Sequence, residues 1–435
     1  MSIRLMGLCP FVFTTGQLAG RRGAWSRIAA VVALLLLTAP CRAEDSVGVM
    51  RFDFGAGPPR PGYTRVEPTT QFSAERGYGF EPGTEIEAVG AESSAATAPA
   101  GCCTSDKPFC CSATVPEGNY RVTLTLGSPD GESDTTVRAE NRRLMLADVK
   151  TAAGEFTTRT FTVNVHNTNI PGGERVRIKP RERGALRWDE RLTLEFCGPR
   201  PCVSAIEIAP AGDDDVTVYI AGDSTVTDQI EAPWAGWGQL LPRFFRGEGV
   251  AISNHASSGE TLSSFVGSRR WAKLLSTLRP GDYLLIQFGH NDMKQTGPDA
   301  GAFKNYTRLL KEYVATARER GATPVLVTPM NRLDFTADGK VNNTLGDYPD
   351  AVRRVAHEDR VTLIDLNSMS RRMYEELGPE ATQRLFVDQT HTNEAGAYRF
   401  ARYVAERIKR SDLGLAAYVI DDLPPADGAV APASQ

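Results

Sequence analysis

Val216-Thr217-Val218-Tyr219-Ile220-Ala221-Gly222-Asp223-Ser224 is the stretch that decides the fold. The run before Gly222 is apolar, short and β-branched, which reads as a buried strand and not as a helix. Gly222 lets the backbone turn sharply and leaves Ser224 at the strand's carboxyl end. Open α/β sheets place their ligand crevices at that end.

The same pattern recurs along the rest of this half of the chain. Strand-like runs at 250–254, 283–288, 324–328 and 361–365 alternate with helix-period segments at 303–320, 347–358 and 394–410. Strand alternating with helix predicts a parallel sheet covered on both faces, and five strands predict a flavodoxin-like, doubly wound, three-layer α/β domain over 211–420. Upstream, Gly and Pro punctuate short alternating runs at 120–126, 156–165 and 192–196. These predict an all-β sandwich over 44–210. Pro210, Gly212 and the acidic Asp213-Asp214-Asp215 mark a solvated linker, and 421–435 reads as a tail.

The chain has 435 residues, a formal charge of −4, 41% apolar residues and 23% charged residues. That is enough material for two packed cores, and nothing in the charge suits nucleic-acid binding. At the N-terminus, Arg21, Arg22 and Arg27 precede an apolar run from Ile28 to Leu37. The run is too short to span a bilayer and suits a signal peptide, with cleavage after Ala43, so residues 1–43 are expected to direct secretion or periplasmic export. Plain secretion is preferred here to a twin-arginine signal at Arg21-Arg22 or a lipid anchor at Cys41. If Cys9 and Cys41 leave with the signal, Cys102, Cys103, Cys110, Cys111, Cys197 and Cys202 remain. An even count in an oxidising compartment predicts disulfides, and the turn sequence Gly198-Pro199-Arg200-Pro201 predicts a hairpin staple between Cys197 and Cys202. The alternative for the first four cysteines, a zinc site, is disfavoured by their vicinal pairs.

A serine hydroxyl needs an imidazole to take its proton during attack. Asp388-Gln389-Thr390-His391 supplies a base, His391, with Asp388 to hold its tautomer and stabilise the imidazolium. Donors for a developing oxyanion come from Ser224's own N–H, from Gly259 after Ser257-Ser258, and from the Asn291 amide in Gly289-His290-Asn291-Asp292. Asp223 reads chiefly as a cap or loop support, and His290 as a substrate contact or a structural hydrogen bond. His166, His255 and His357 read as structural or solvated. Trp234 and Trp237 fit either a sugar platform or the core. Asn254 reads as a loop tie, and Asp347 and Tyr348 as substrate contacts or as capping and packing groups.

Gly222-Asp223-Ser224-Thr225, Ser258-Gly259, Gly289-His290-Asn291-Asp292 and Asp388-Gln389-Thr390-His391 resemble, in order and spacing, the four motif blocks of the SGNH (GDSL) hydrolases. Ala221 to Asp228, Gly236-Trp237-Gly238-Gln239, Asp282 to Asp292 and Phe386-Val387-Asp388 look most like the rhamnogalacturonan acetylesterase branch. Thr225 replaces the eponymous leucine, which argues mildly against a lipase. The resemblance implies Ser224 as nucleophile, His391 as base, Asp388 as orienter, and Ser224, Gly259 and Asn291 as the oxyanion hole. It implies deacetylation of pectic polysaccharide with no cofactor or metal in the reaction.

Upstream, Phe52-Asp53-Phe54-Gly55 and Gly77-Tyr78-Gly79-Phe80-Glu81 resemble galactose-binding-like β-sandwiches. Tyr63, Phe72, Tyr78 and Phe80 are candidate sugar contacts there, with a core or turn role favoured for each. The expected partner is acetylated plant cell-wall polysaccharide or oligosaccharide, with no nucleic acid and no membrane span. Acetylated xylan, a lipid or other acyl ester, and a noncatalytic glycan-binding role are the alternatives.

Overall fold

Successive side chains of the Val216–Gly222 strand enter two different cores, as a strand buried on both faces requires. Val218 and Ile220 pack with Phe400 and Val404 of the Glu394–Lys409 helix. Tyr219 and Ala221 pack on the other face with Leu310 and Val314 of the Thr307–Glu319 helix and Val352 and Val355 of the Tyr348–Glu358 helix. The computed structural model describes residues 48–55, 59–90 and 101–427. The signal segment 1–43, with Cys9, Cys41 and the cleavage point, and the end of the tail lie outside the described residues. No helix among the described residues is long and apolar enough to cross a membrane.

The strands Val216–Gly222, Val250–Asn254, Tyr283–Gln287, Thr323–Val327 and Thr362–Ile364 form one parallel sheet. Numbered along the chain, their order across the sheet is 2-1-3-4-5, the flavodoxin-like arrangement. The crevice of such a sheet opens where the chain leaves its first strand, at Gly222-Asp223-Ser224. The expected helix at 303–320 begins at Thr307, because Phe303 and Lys304 are non-helical. A long helix at Leu366–Gln383 and two short ones, Leu262–Gly267 and Arg270–Thr277, were not expected.

The described residues between 50 and 210 form two sheets, of seven and five strands. In the Gly118–Gly127 strand, Tyr120, Val122, Leu124 and Leu126 are buried while Arg121 faces solvent, the period-two alternation of a half-buried strand. Its partner Phe156–Val165 runs antiparallel, with Phe161 opposite Val122 and Val163 opposite Tyr120. The second sheet meets this face with Phe109, Leu194 and Phe196. The four aromatics for which a core or turn role was favoured over sugar contact are engaged within the protein. Phe80 is buried against Phe54 and Phe109, Tyr78 lies on Phe52, Arg60 sits over Tyr63 and Arg191 over Phe72.

The expected staple between Cys197 and Cys202 is not formed. All six cysteines among the described residues are free thiols. Cys197 ends up in the five-stranded sheet, its thiol donating to the Thr136 carbonyl, whereas Cys202 starts a strand of the seven-stranded sheet. The expected turn residues 198–200 continue the Arg191–Arg200 strand, Pro201 alone leads to the next strand in the other sheet, and no hairpin is closed. Cys202 instead shares a hydrogen bond with Cys102. Burial pushes the Cys103 thiol up to about 12. No group of three or more His, Cys, Asp or Glu suited to a metal ion occurs among the described residues.

The sandwich and the α/β layers belong to one compact unit, 47–435, and buried ion pairs fasten them. Arg143 Nε lies 2.7 Å from Asp228 Oδ2, Arg138 Nη2 2.5 Å from Glu394 Oε1, and Lys273 Nζ 2.6 Å from Glu117 Oε1. Asn119 Nδ2 donates to Thr217 Oγ1 at 2.8 Å, on the first strand of the parallel sheet. Leu144 of the sandwich is buried within the α/β core.

Glu140 sits at this junction with Arg143, Asp189 and Asp228 around it, and its Oε1 accepts from the Thr193 N–H at 3.2 Å. Burial pushes its carboxyl up to about 8 from an ordinary 4.5. The folded protein therefore holds this proton after the unfolded chain has released it, so the contribution to stability is full in acid and is lost as pH rises toward 8. Glu140→Gln is expected to remove up to one proton's worth of slope, about 1.4 kcal/mol per pH unit, between those values. Urea denaturation at stepped pH measures it.

Candidate active site

Ser224 lies two residues past the end of the first strand and is buried. Its Oγ lies 2.8 Å from His391 Nε2, and His391 Nδ1 lies 2.7 Å from Asp388 Oδ2. Since a carboxylate only accepts, Nδ1 carries the proton and Nε2 is left to accept from the serine hydroxyl. Asp388 also accepts from the Thr390 and His391 backbone N–H groups at 2.7 and 2.8 Å. Burial raises the Asp388 carboxyl, but its bonds from His391 and Thr390 outweigh that and hold it below the usual carboxylate range.

The loop carrying His391 reaches Ser224 because local bonding pins it. Val387 N donates to the His391 carbonyl at 2.8 Å, and Asn393 caps the Glu394–Lys409 helix through the Gly396 N–H. Thr392 Oγ1 donates to the Ala235 carbonyl at 2.8 Å, and the Ala235 N–H answers to the Thr392 carbonyl at 3.0 Å. Base loop and nucleophile segment are thus joined by hydrogen bonds on both sides.

Gly259 has φ +81°, a conformation glycine adopts without strain. Among the described residues, neither its N–H nor that of Ser224 is bonded within the protein. Asn291 Nδ2 donates to the Glu260 carbonyl at 3.2 Å, which sets the amide beside the Gly259 loop. Asp292 ties these blocks together by accepting from Leu262 N at 2.9 Å and Gly289 N at 3.0 Å, and burial pushes its carboxyl up to about 7.

Asp223 is fully buried behind the serine. Its Oδ1 accepts from both the N–H and the hydroxyl of Thr225, and His290 Nδ1 lies 3.4 Å from its Oδ2. Burial raises this carboxyl, but His290 and the Thr225 bonds outweigh it and hold the carboxyl low. Its position is that of a loop support. His290 is buried with Nε2 on the Met330 carbonyl at 3.0 Å.

His166 and His255 stack on each other and meet Trp188 edge-on, and burial holds both well below their usual range. His357 is exposed on the Tyr348–Glu358 helix. Trp237 is core, donating to Gln287 Oε1 at 2.8 Å. Asn254 ties its loop to Val226 O and Asp228 Oδ1. Tyr348 is buried on the Asp292 carbonyl, and Asp347 stands at its helix's N-terminus without a side-chain cap bond.

A cleft of about 340 Å³ opens at Asp388 and His391, with Trp234 and Gln229 in its wall. Gln229 Nε2 donates to the Ser224 carbonyl at 2.7 Å. The same wall contains Arg181, Glu182 and Arg187, which come from the arm after the Phe156–Val165 strand and were not expected from the sequence. Arg187 is buried, donating to the Asp228 carbonyl at 3.1 Å, and burial lowers its guanidinium to about 10. Apart from one 3-10 turn at Pro180–Glu182, the arm has no regular element and no hydrophobic period. Its density of Arg and Lys at 175–191 was the signal available.

Residues 220–399 match the GDSL-like lipase/acylhydrolase family, and residues 50–170 match the β-agarase/YXIM esterase-like, galactose-binding domain-like family. The rhamnogalacturonan acetylesterase RhgT of Bacillus subtilis (strain 168) is 41% identical over 222 residues, 47% of this chain and 94% of that protein. The uncharacterized esterase YxiM of the same organism is 28% identical over 84% of this chain and 92% of its own length. A crystal structure of YxiM superposes with a TM-score of 0.47 at 27% identity, over 84% of this chain and 99% of that one. With the motif blocks, the parallel sheet and the upstream β domain agreeing with the two family matches and with RhgT, the chain belongs to the GDSL (SGNH) lipase/acylhydrolase family of carboxylic ester hydrolases, with an N-terminal galactose-binding-like domain.

Proposed function

We propose that the protein is a secreted serine carbohydrate esterase that removes O-acetyl groups from rhamnogalacturonan. The observation that carries it is the unbroken line of hydrogen bonds from Ser224 through His391 to Asp388 at the mouth of a cleft. The name of the relative RhgT supports the substrate, and the N-terminal segment 1–43 supports export. In this reading, residues 44–210 are the galactose-binding-like domain, residues 211–420 carry the chemistry, and 421–435 form a tail.

Ser224 Oγ attacks the acetyl carbonyl as its proton passes to His391 Nε2. The oxyanion is met by the N–H groups of Ser224 and Gly259 and by the Asn291 N–H not engaged with Glu260. Collapse breaks the ester bond, and His391 returns the proton to the departing sugar oxygen. Water then attacks the acetyl-enzyme with His391 as base, and acetate leaves as the proton goes back to Ser224. Asp388 keeps Nδ1 protonated and stabilises the imidazolium of both halves.

Acetate release from acetylated rhamnogalacturonan, with acetylated xylan in parallel, tests the reading. Release from the pectic substrate, abolished in Ser224→Ala, is expected. Preference for xylan would keep the triad and overturn the substrate. Asn291→Ala is expected to lower kcat about 100-fold with a smaller change in KM, as loss of one oxyanion donor does; steady-state kinetics on p-nitrophenyl acetate reads it.

A further inference from the structure

Among the described residues most charges around the cleft pair off, the buried Arg187 is spent on backbone carbonyls, and the exposed Arg181 faces solvent. Lys179 Nζ lies 2.7 Å from Glu260 Oε1, Arg270 Nη2 lies 2.5 Å from Glu182 Oε2, and Asp228 holds Arg143. Arg181 is exposed in the cleft wall and has no carboxylate within ion-pair distance among the described residues. Its Nη2 donates to the Ser258 carbonyl. That single bond fixes the guanidinium beside the Gly259 loop, so that a methyl group at Gly259 would lie 3.7 Å from Nη2. The remaining N–H groups of the fork are left for a ligand.

From this we infer that Arg181 is a specificity-determining residue: it binds the carboxylate of a uronic acid unit next to the acetylated sugar, and the sandwich arm thereby completes the hydrolase's substrate site. The inference rests on the carbohydrate-esterase reading above and narrows it to anionic polysaccharide.

A planar guanidinium matches a planar carboxylate through two parallel hydrogen bonds, a fit that a neutral sugar hydroxyl cannot reproduce. Half-exposed Trp234 shares the same wall and offers an apolar face to a sugar ring, so ring and carboxylate each have a counterpart. General charge does not account for the preference. The chain carries a formal −4, and exposed Glu231 lines the same cleft, so the attraction is local to Arg181.

The test compares acetylated rhamnogalacturonan oligosaccharides with the same oligosaccharides after reduction of their carboxyl groups to primary alcohols. The full chain and its Arg181→Gln variant are assayed for kcat/KM of acetate release on both. The ratio of native to carboxyl-reduced substrate is expected to fall about tenfold in Arg181→Gln, the size of one lost charge-assisted contact at a partly exposed site. A merely structural brace on Ser258 would lower both values equally and leave the ratio unchanged, which overturns the inference. Wild-type protein that releases acetate from neither form overturns the pectic reading and Arg181's role with it. Wild-type release with an unchanged ratio in the variant overturns Arg181's role alone.

Discussion

Ser224→Ala is expected to lower kcat for ester hydrolysis by roughly 10⁵-fold, leaving only what the oxyanion donors and binding contribute over water. The loss is this large because the three side chains act as one unit. Without Oγ there is nothing for His391 to deprotonate, and without His391 the hydroxyl is a poor nucleophile. Adding His391→Ala to the serine variant is therefore expected to cost little more, a strong departure from additivity. Steady-state and burst kinetics on p-nitrophenyl acetate measure both. Two losses that multiply would mean that serine and histidine act separately, contrary to the 2.8 Å contact between them.

Asp228→Ala is expected to destabilise the whole compact unit by about 3–5 kcal/mol, the usual penalty for stripping one partner from a buried ion pair. Its partner Arg143 has side-chain exposure of only 1%, and donates otherwise only to the carbonyls of Asn164 at 2.9 Å and Ile252 at 3.4 Å. Removing the carboxylate leaves a positive charge in the seam stripped of its hydrogen-bonded ion-pair partner. Urea denaturation followed by both tryptophan fluorescence and far-ultraviolet circular dichroism reads the loss. The sandwich and the α/β layers are expected to unfold together, because Asp228 follows the nucleophile in sequence while Arg143 belongs to the β domain. Two separated transitions would mean that the seam is peripheral to stability. A fragment beginning after residue 210 would strand Lys273 and Glu394 as well, and is expected to be insoluble.

The legible part of the fold was what local pattern encodes. The five strands of the parallel sheet are runs whose neighbours on both sides are apolar, and each was found within a residue or two of its place. The Leu366–Gln383 helix was missed because Gly378, at φ +76°, and Pro379 interrupt its period. The cysteine pairing failed for a related reason. A turn sequence shows that the chain bends, but not which sheet receives the next strand.

In the site, Ser224, Asp388 and His391 could be read from short motifs at strand ends, and hydrogen bonds join those three, while Asn291 is bonded to the Glu260 carbonyl next to Gly259. Arg181 and Arg187 could not be read this way. An arginine on an irregular arm carries no local sign of which distant carbonyl it will meet, and Arg181's, Ser258, is 77 residues away.

The mutual bonding of Thr392 and Ala235 bears on how the catalyst can be studied. Because base and nucleophile are locked in register before any ester arrives, no part of the substrate is needed to assemble them. A minimal acetyl ester should therefore meet the same chemical step as a polymer, differing in how often it is captured and not in how it reacts. Simple chromogenic esters can then isolate the bond-breaking event, while selectivity among acetylated carbohydrates has to be sought in capture.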